Sequence, residues 1–279
     1  MPVAVVLIAV ALGALVAVIA SRSTTTMVAS GSPTGSGHGR LVFADEFSGS
    51  GVTAGRWNRC HWWGPKGCTI ASNDEMQWYV PQQVSQSNGT LRLTARREPT
   101  RAVDGREFAF RSGMVTTGRD SSDLQVKPKF AFRYGYIEAK LRVPKGQGLW
   151  PALWLLPASN RSRPEIDIAE IRGSQTRKVS MHLHTSGPGA KPQSIGEHWT
   201  GDDLAVGWHL LALDWRPGLL RWVIDGKEAW RVSGDRVPSE PMYLVANLAV
   251  GGDWVGPPTA DTPFPAVFEI DYVKIWKAS

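Results

Sequence analysis

Cysteine is scarce in this chain: 279 residues contain two, Cys60 and Cys68, eight positions apart in a loop rich in Gly and Trp. No His or Cys partners stand around them at zinc-finger spacing, so a disulfide pinning the loop is favoured over a metal pair. Charge of one sign is also modest. The net value is +6, from 31 Lys plus Arg against 25 Asp plus Glu. The densest basic cluster, Arg92, Arg96, Arg97, Arg101, Arg106 and Arg111, carries no recognised nucleic-acid motif. Arg alternating along a strand usually marks a solvated face, which sets nucleic acid aside as a partner. Two further features are missing: a helical apolar stripe over ten residues, and an internal repeat. Helical and repeat architectures are thereby excluded.

One long apolar run is present. Residues 2–20 carry no charge and are rich in Val, Ala, Leu and Ile. The run is longer than the usual signal-peptide core of roughly 7–15 residues and close to the roughly 20 that span a bilayer. It lacks a Lys/Arg-rich start, and small residues at Val18 and Ala20, or at Val28 and Ala29, offer weak cleavage sites. Residues 21–39 are Ser, Thr, Gly and Pro with almost no apolar content, a flexible spacer. The division is therefore residues 1–29 as signal peptide or membrane anchor, 30–39 as Ser/Gly/Pro linker, and 40–279 as one folded domain. Export is favoured, giving a secreted protein, with a retained anchor as the alternative. Either way the folded part lies outside the cytoplasm, and any membrane contact is through the first segment.

Aromatics are unusually weighted to Trp, with thirteen Trp against eight Phe and five Tyr. A broad apolar face with a single N–H serves equally in a core or in a sugar-stacking cleft. From Leu41 onward, short segments alternate polar and apolar residues with period two: 91–97, 136–143, 150–156, 179–184, 219–224, 242–250 and 268–276. Asp225-Gly226 between two of them is a type I′ hairpin signal. Many short strands without helices predict an all-β antiparallel sandwich or jelly roll.

The most informative stretch is Pro164-Glu165-Ile166-Asp167-Ile168-Ala169-Glu170-Ile171. On a strand, alternate residues share a face, so Glu165 and Asp167 point one way, Ile166 and Ile168 the other. Strict continuation would put Glu170 among the isoleucines and Ile171 among the acids. One inserted residue removes both conflicts, and a β-bulge near Ile168-Ala169 is expected. Three carboxyls on one face repel, so at least one keeps its proton near neutral pH. Glycosidic cleavage with retention needs such a pair, one ionised nucleophile and one protonated acid. A solvated acidic face is the alternative. The context argues against it: Trp150, Ala152 and Trp154 share a face upstream, and His182 and His184 share one downstream. Two indoles form a platform for pyranose rings unless they are core residues, and an imidazole beside acids tunes proton transfer.

With these residues in hand, the chain resembles glycoside hydrolase family 16, most of all its bacterial laminarinase-type, endo-β-1,3-glucanase branch. The resemblance covers nearly all of residues 41–279. It rests on Glu-x-Asp-x-x-Glu at Glu165, Asp167 and Glu170 behind Gly-x-Trp-Pro-Ala-x-Trp at residues 148–154. Further matches are Asp45-Glu46-Phe47, Asn73-Asp74-Glu75-Met76-Gln77-Trp78-Tyr79, Asn88-Gly89-Thr90-Leu91, and Asn247 through Gly252. The resemblance implies a β-jelly-roll sandwich of two curved antiparallel sheets with a concave substrate cleft. It implies Glu165 as nucleophile, Glu170 as general acid/base and Asp167 as assisting carboxylate. Trp150 and Trp154 would line the subsites beside the cleaved bond, and His184 would face the cleft. Asn73, Asn247 and Trp254 would contact sugar. No cofactor is needed for the cleavage; many members hold one structural calcium, whose ligands would map onto Glu46, the Gly89 carbonyl and Asp271, each with a purely structural role as an equal alternative. His182 departs from the family pattern, standing where small polar residues are usual.

The expected activity is retaining endo-hydrolysis of a polysaccharide, either β-1,3-glucan (laminarin) or mixed β-1,3/1,4-glucan, by what is read as a monomer. Alternatives are a galactan hydrolase or transglycosylase on the same scaffold, or a lectin-like module that binds glycan without cutting it. The intact carboxylate trio separates the enzymes from the lectin, since binding alone does not require it.

Overall fold

Alternation along the chain becomes pairing between strands. The computed structural model describes residues 38–61, 67–121 and 123–277. The segment expected as signal peptide or anchor, and the linker up to residue 37, lie outside the described residues. In chain order the strands are β1 (Arg40–Asp45), β2 (Gln77–Tyr79), β3 (Val84–Ser87), β4 (Thr90–Ala95), β5 (Thr100–Arg101), β6 (Glu107–Phe108), β7 (Phe110–Ser112), β8 (Met114–Thr116) and β9 (Gly135–Arg142). They continue with β10 (Leu149–Pro157), β11 (Glu165–Glu170), β12 (Lys178–Ser186), β13 (Pro192–Thr200), β14 (His209–Arg216), β15 (Leu219–Ile224), β16 (Lys227–Ser233), β17 (Met242–Val250) and β18 (Ala266–Lys277).

Two large sheets form, both antiparallel. One runs β16-β15-β14-β9-β18-β4-β3, with β1 also paired to β18; the other runs β13-β12-β11-β10-β17-β8. This is the expected jelly-roll sandwich. Strand β9 shows how it is built: Ile137, Ala139 and Leu141 are fully buried, while Glu138, Lys140 and Arg142 alternate outward. The buried set meets Leu153, Leu155, Ile166 and Leu183 of the second sheet in one core. Each such side chain contributes roughly 1.5–3 kcal/mol on burial. The turn Asp225-Gly226 has positive φ at both residues, 48° and 76°, as a type I′ hairpin requires.

Strand β10 is buried on both faces. Leu149, Leu153 and Leu155 enter the core between the sheets. Ala152, Trp154 and Leu156 instead join Tyr79, Met114, Tyr243 and Val245 in a second apolar layer on the opposite face. That is why its sequence is nearly continuous in apolar residues instead of alternating. The second layer is the floor on which the site is built.

The arginine cluster is indeed peripheral and locally paired. Arg92 and Arg142 both bind Glu269, and Arg96 and Arg111 flank Glu98. A disulfide joins Cys60 to Cys68.

Candidate active site

The ladder around β11 carries the expected irregularity. Against β10, Leu153 pairs with Ala169 and Trp154 with Asp167, leaving Ile168 without a partner position. Against β12, Glu165 pairs with His184 and Asp167 with His182, but Glu170 pairs with Ser180. Five steps on β11 therefore oppose four on β12, the signature of a bulge at Ile168-Ala169. Ile168, Ala169 and Ile171 all lie in the core, and Glu165, Asp167 and Glu170 share the other face. A bulge displaces a backbone carbonyl from the ladder. Here Trp222, reaching from β15 in the opposite sheet, donates its indole N–H to the Asp167 carbonyl at 2.9 Å.

The three carboxyls have distinct surroundings. Asp167 is buried, and Oδ2 lies 3.0 Å from His184 Nε2 and 4.0 Å from His182 Nδ1. It shares a hydrogen bond with Glu165. Burial, and next the adjoining Asp167 charge, push the Glu165 carboxyl well above the usual carboxylate range. Burial and the Glu170 charge push Asp167 up as well. Two buried carboxyls joined in this way hold one proton between them. Glu170 receives the Trp150 indole N–H on Oε1 at 3.2 Å, and its Oε2 lies 2.8 Å from His182 Nδ1.

The sequence places His182 beside the acids, where an imidazole tunes proton transfer, and the structure pairs it with Glu170. Its seat depends on a distant residue: a Cβ at Gly196, opposite it on β13, would fall 2.2 Å from the His182 ring. Glycine there makes the room.

The aromatic platform divides into two roles. Trp150 is half-buried and meets Trp254 with ring centroids 5.0 Å apart, so both indoles edge the cleft. Trp154 is only 6% exposed and belongs to the floor. Asn247, expected as a sugar contact, is buried and lines the cleft beside the three carboxylates. Its Oδ1 accepts the Trp154 N–H at 2.7 Å and its amide donates to Tyr79 Oη at 2.9 Å, so it positions the floor. Asn73 donates to Glu75 Oε1 at 3.1 Å and lines the cleft. Glu75 stands in the sequence only as part of the matching stretch at residues 73–79, with no role attached to it. It is buried, hydrogen-bonded by Gln77 and Tyr79, and its carboxyl is pushed up to about 7 by burial.

The cleft has two joined reaches. One cavity is lined by Glu75, Trp150, Trp154 and all three carboxylates. The other, about 720 Å³, extends past Glu165 and His184 to Asn73, Arg163 and Tyr243. His61, presented there by the disulfide loop, contacts the Tyr243 hydroxyl. Burial and the Arg119 charge push its imidazole down to about 3, so it stays neutral.

The residues mapped to calcium behave differently. Glu46 Oε1 lies 2.8 Å from Lys274 Nζ, and Asp271 Oδ2 lies 2.7 Å from Lys140 Nζ. Gly89 sits in the turn between β3 and β4 with φ 70°. Two carboxylates neutralised by lysines are not the anionic oxygen set that calcium selects.

Comparison with known proteins agrees with this geometry. The model for glycosyl hydrolases family 16 matches residues 72–274. Endo-1,3-1,4-beta-glycanase EglC of Rhizobium meliloti (strain 1021) is 32% identical over 250 residues, covering 84% of this chain and 51% of that protein. The chain thus spans about half the length of the first curated relatives it matches. Among solved structures, the laminarinase catalytic domain from Thermotoga maritima MSB8 superposes with a TM-score of 0.75 at 30% identity, over 86% of this chain and 98% of that one. The endo-beta-1,3-glucanase from Pyrococcus furiosus gives 0.73 at 30% identity, over 85% and 94%. A bulged acidic strand beside a tryptophan-edged cleft, with a family match across most of the folded residues, makes this chain a member of glycosyl hydrolases family 16.

Proposed function

We propose that the protein is a retaining endo-glycosidase that hydrolyses internal bonds of a β-1,3-glucan of the laminarin type, or of a mixed β-1,3/1,4-glucan. The observation that carries this reading is the bulge. It gathers Glu165, Asp167 and Glu170 on the cleft face and leaves the Glu pair four strand steps apart along β12. Four steps are about 13 Å between backbones. Two long side chains leaning toward one another can approach the roughly 5–5.5 Å of a retaining pair.

Glu165 then attacks the anomeric carbon while Glu170 donates a proton to the departing glycosidic oxygen. The glycosyl ester on Glu165 is released by a water from which Glu170 takes a proton back. Asp167, buried and hydrogen-bonded to Glu165, shares one proton with it; the attack takes place from the state in which that proton lies on Asp167 and Glu165 is anionic. Trp150 orients Glu170 through its N–H, and an apolar floor excludes competing water. The substrate class follows from the relatives' printed names and from the flat indoles edging an open cleft. An extracellular polysaccharide and the apolar first segment together support export of the domain.

Incubation with an activated 2-fluoro glucoside and peptide mapping should place the label on Glu165. Label on Glu170 or elsewhere would reject the nucleophile. Product analysis across laminarin, lichenan, agarose and carrageenan should show internal cleavage of the first two.

A further inference from the structure

Beside the acid/base Glu170 lies a second, smaller recess that the cleavage chemistry leaves unused. It is about 190 Å³ and is lined by Arg172, Lys178, Ser180, His182, His198 and Trp254. None of its described lining residues is acidic. The strands explain the grouping. Lys178, Ser180 and His182 alternate along one face of β12, His198 faces Ser180 across β13, and Arg172 lies two residues past the end of β11.

Three observations show a cationic pocket open to a ligand. Arg172 Nε has no hydrogen-bond partner among the described residues. Its guanidinium lies 4.5 Å from the Trp254 ring centroid, held in place by the same indole that edges the cleft. His198 Nδ1 is 3.1 Å from Ser180 Oγ, and the His182 and His198 rings meet edge to face at 6.4 Å. The electrostatics agree. The His198 pKa is lowered first by desolvation, then by Lys178 and His182, with Arg172 adding to the effect and only Glu197 opposing it.

We infer that this recess is a subsite for a negatively charged substituent, a carboxylate or a sulfate ester, on a sugar next to the cleaved bond. A volume of about 190 Å³ corresponds to about six waters at roughly 30 Å³ each, enough for one charged group with its sugar edge. Arg supplies a planar fork for carboxylate or sulfate oxygens and Lys a point charge. Trp254 and His182 connect the recess to the cleft, so an anionic group entering it belongs to a chain already threaded past Glu170. The inference rests on the glycanase reading and extends its substrates from neutral β-glucans to those that carry acidic decoration.

The test measures affinity in the full chain carrying Glu165→Gln, so that substrate survives. Calorimetry compares laminarin, carboxymethylated laminarin and sulfated laminarin of matched length, at low and at physiological salt. The expected result is tighter binding of one or both anionic forms, by about tenfold at low salt, the arm that responds naming the group. Adding Lys178→Gln and His198→Gln should bring the ratio of anionic to neutral affinity to about one. Lys127→Gln, which removes a charge from an exposed remote site, should leave that ratio intact. Equal binding of all three glucans, or a ratio that survives the double substitution, overturns the subsite. Turnover of plain laminarin by the unsubstituted enzyme tests the glucanase reading separately, since the affinity ratio does not depend on it.

Discussion

The indole N–H of Trp222 donates to the main-chain carbonyl of Asp167 across 2.9 Å, joining the two sheets at the β11 bulge. The bond satisfies an oxygen that the bulge has taken out of its ladder, inside a core where water cannot replace it. It also holds the register that keeps the acids together. Replacing Trp222 by Phe keeps most of the ring but orphans that carbonyl. Stability should fall by about 1–3 kcal/mol from the lost donor alone, read by urea denaturation. A drop in kcat larger than the change in KM should accompany it. An unchanged kcat would separate the bulge from this contact.

Glu165→Gln removes the proposed nucleophile while keeping the side chain's shape and its neighbours. Turnover should fall on the order of 10³–10⁴-fold or more, with laminarin-oligosaccharide binding and thermal midpoint close to the parent. Activity within tenfold of the parent would move the nucleophile elsewhere.

His182 acts through Glu170, 2.8 Å away, so it is a positioning residue. His182→Ala should lower kcat by about tenfold or more, with KM changing little. Asn at 182 can present an amide near the Nδ1 position and should recover part of the loss. A KM effect without a kcat effect would assign the ring to substrate binding.

Glu75 makes stability depend on pH. Burial raises its carboxyl from 4.5 to about 7 in the folded protein, so the native state holds a proton there that the unfolded chain has released. Its stabilising contribution is complete below about pH 4.5 and is lost as pH rises through about 7, at most about 3 kcal/mol. Glu165 and Asp167, raised in the same direction, slope the same way. Urea midpoints measured from pH 5 to 8 should decline, and Glu75→Gln, which cannot ionise, should flatten the decline. Parallel slopes in parent and variant would rule Glu75 out as the source.

The strand pattern and the acidic register were readable because both are local. Ile166, Ile168 and Ile171 can all face a core only if one residue is inserted, and the ladder inserts it at Ile168-Ala169. Strand ends were less legible: β4 stops at Ala95, two residues short of the alternating run, because Arg96 turns away to bridge Arg111. Trp150 and Trp154 looked equivalent in the sequence. Both line the cleft, but Trp154 packs on Tyr79 and Tyr243 as part of its floor while Trp150 lies half-buried beside Trp254. Asn247, read in the sequence as a sugar ligand, also ties Trp154 to Tyr79, a link that only the fold reveals.

The sequence by itself determined that this chain is an all-β sandwich, that its acids fall on one strand face, and that the strand must bulge there. Alternation needs no partner to be read, since neighbouring side chains point to opposite faces whatever lies beyond them. Tertiary structure decided what completes the site. Trp222 is 55 positions from the carbonyl it satisfies, and Gly196 is 14 from the His182 ring it accommodates. Glu75 gains its proton only when it is buried. Those effects depend on which distant strands lie against each other and how much water they exclude, quantities that exist only after the two sheets have closed.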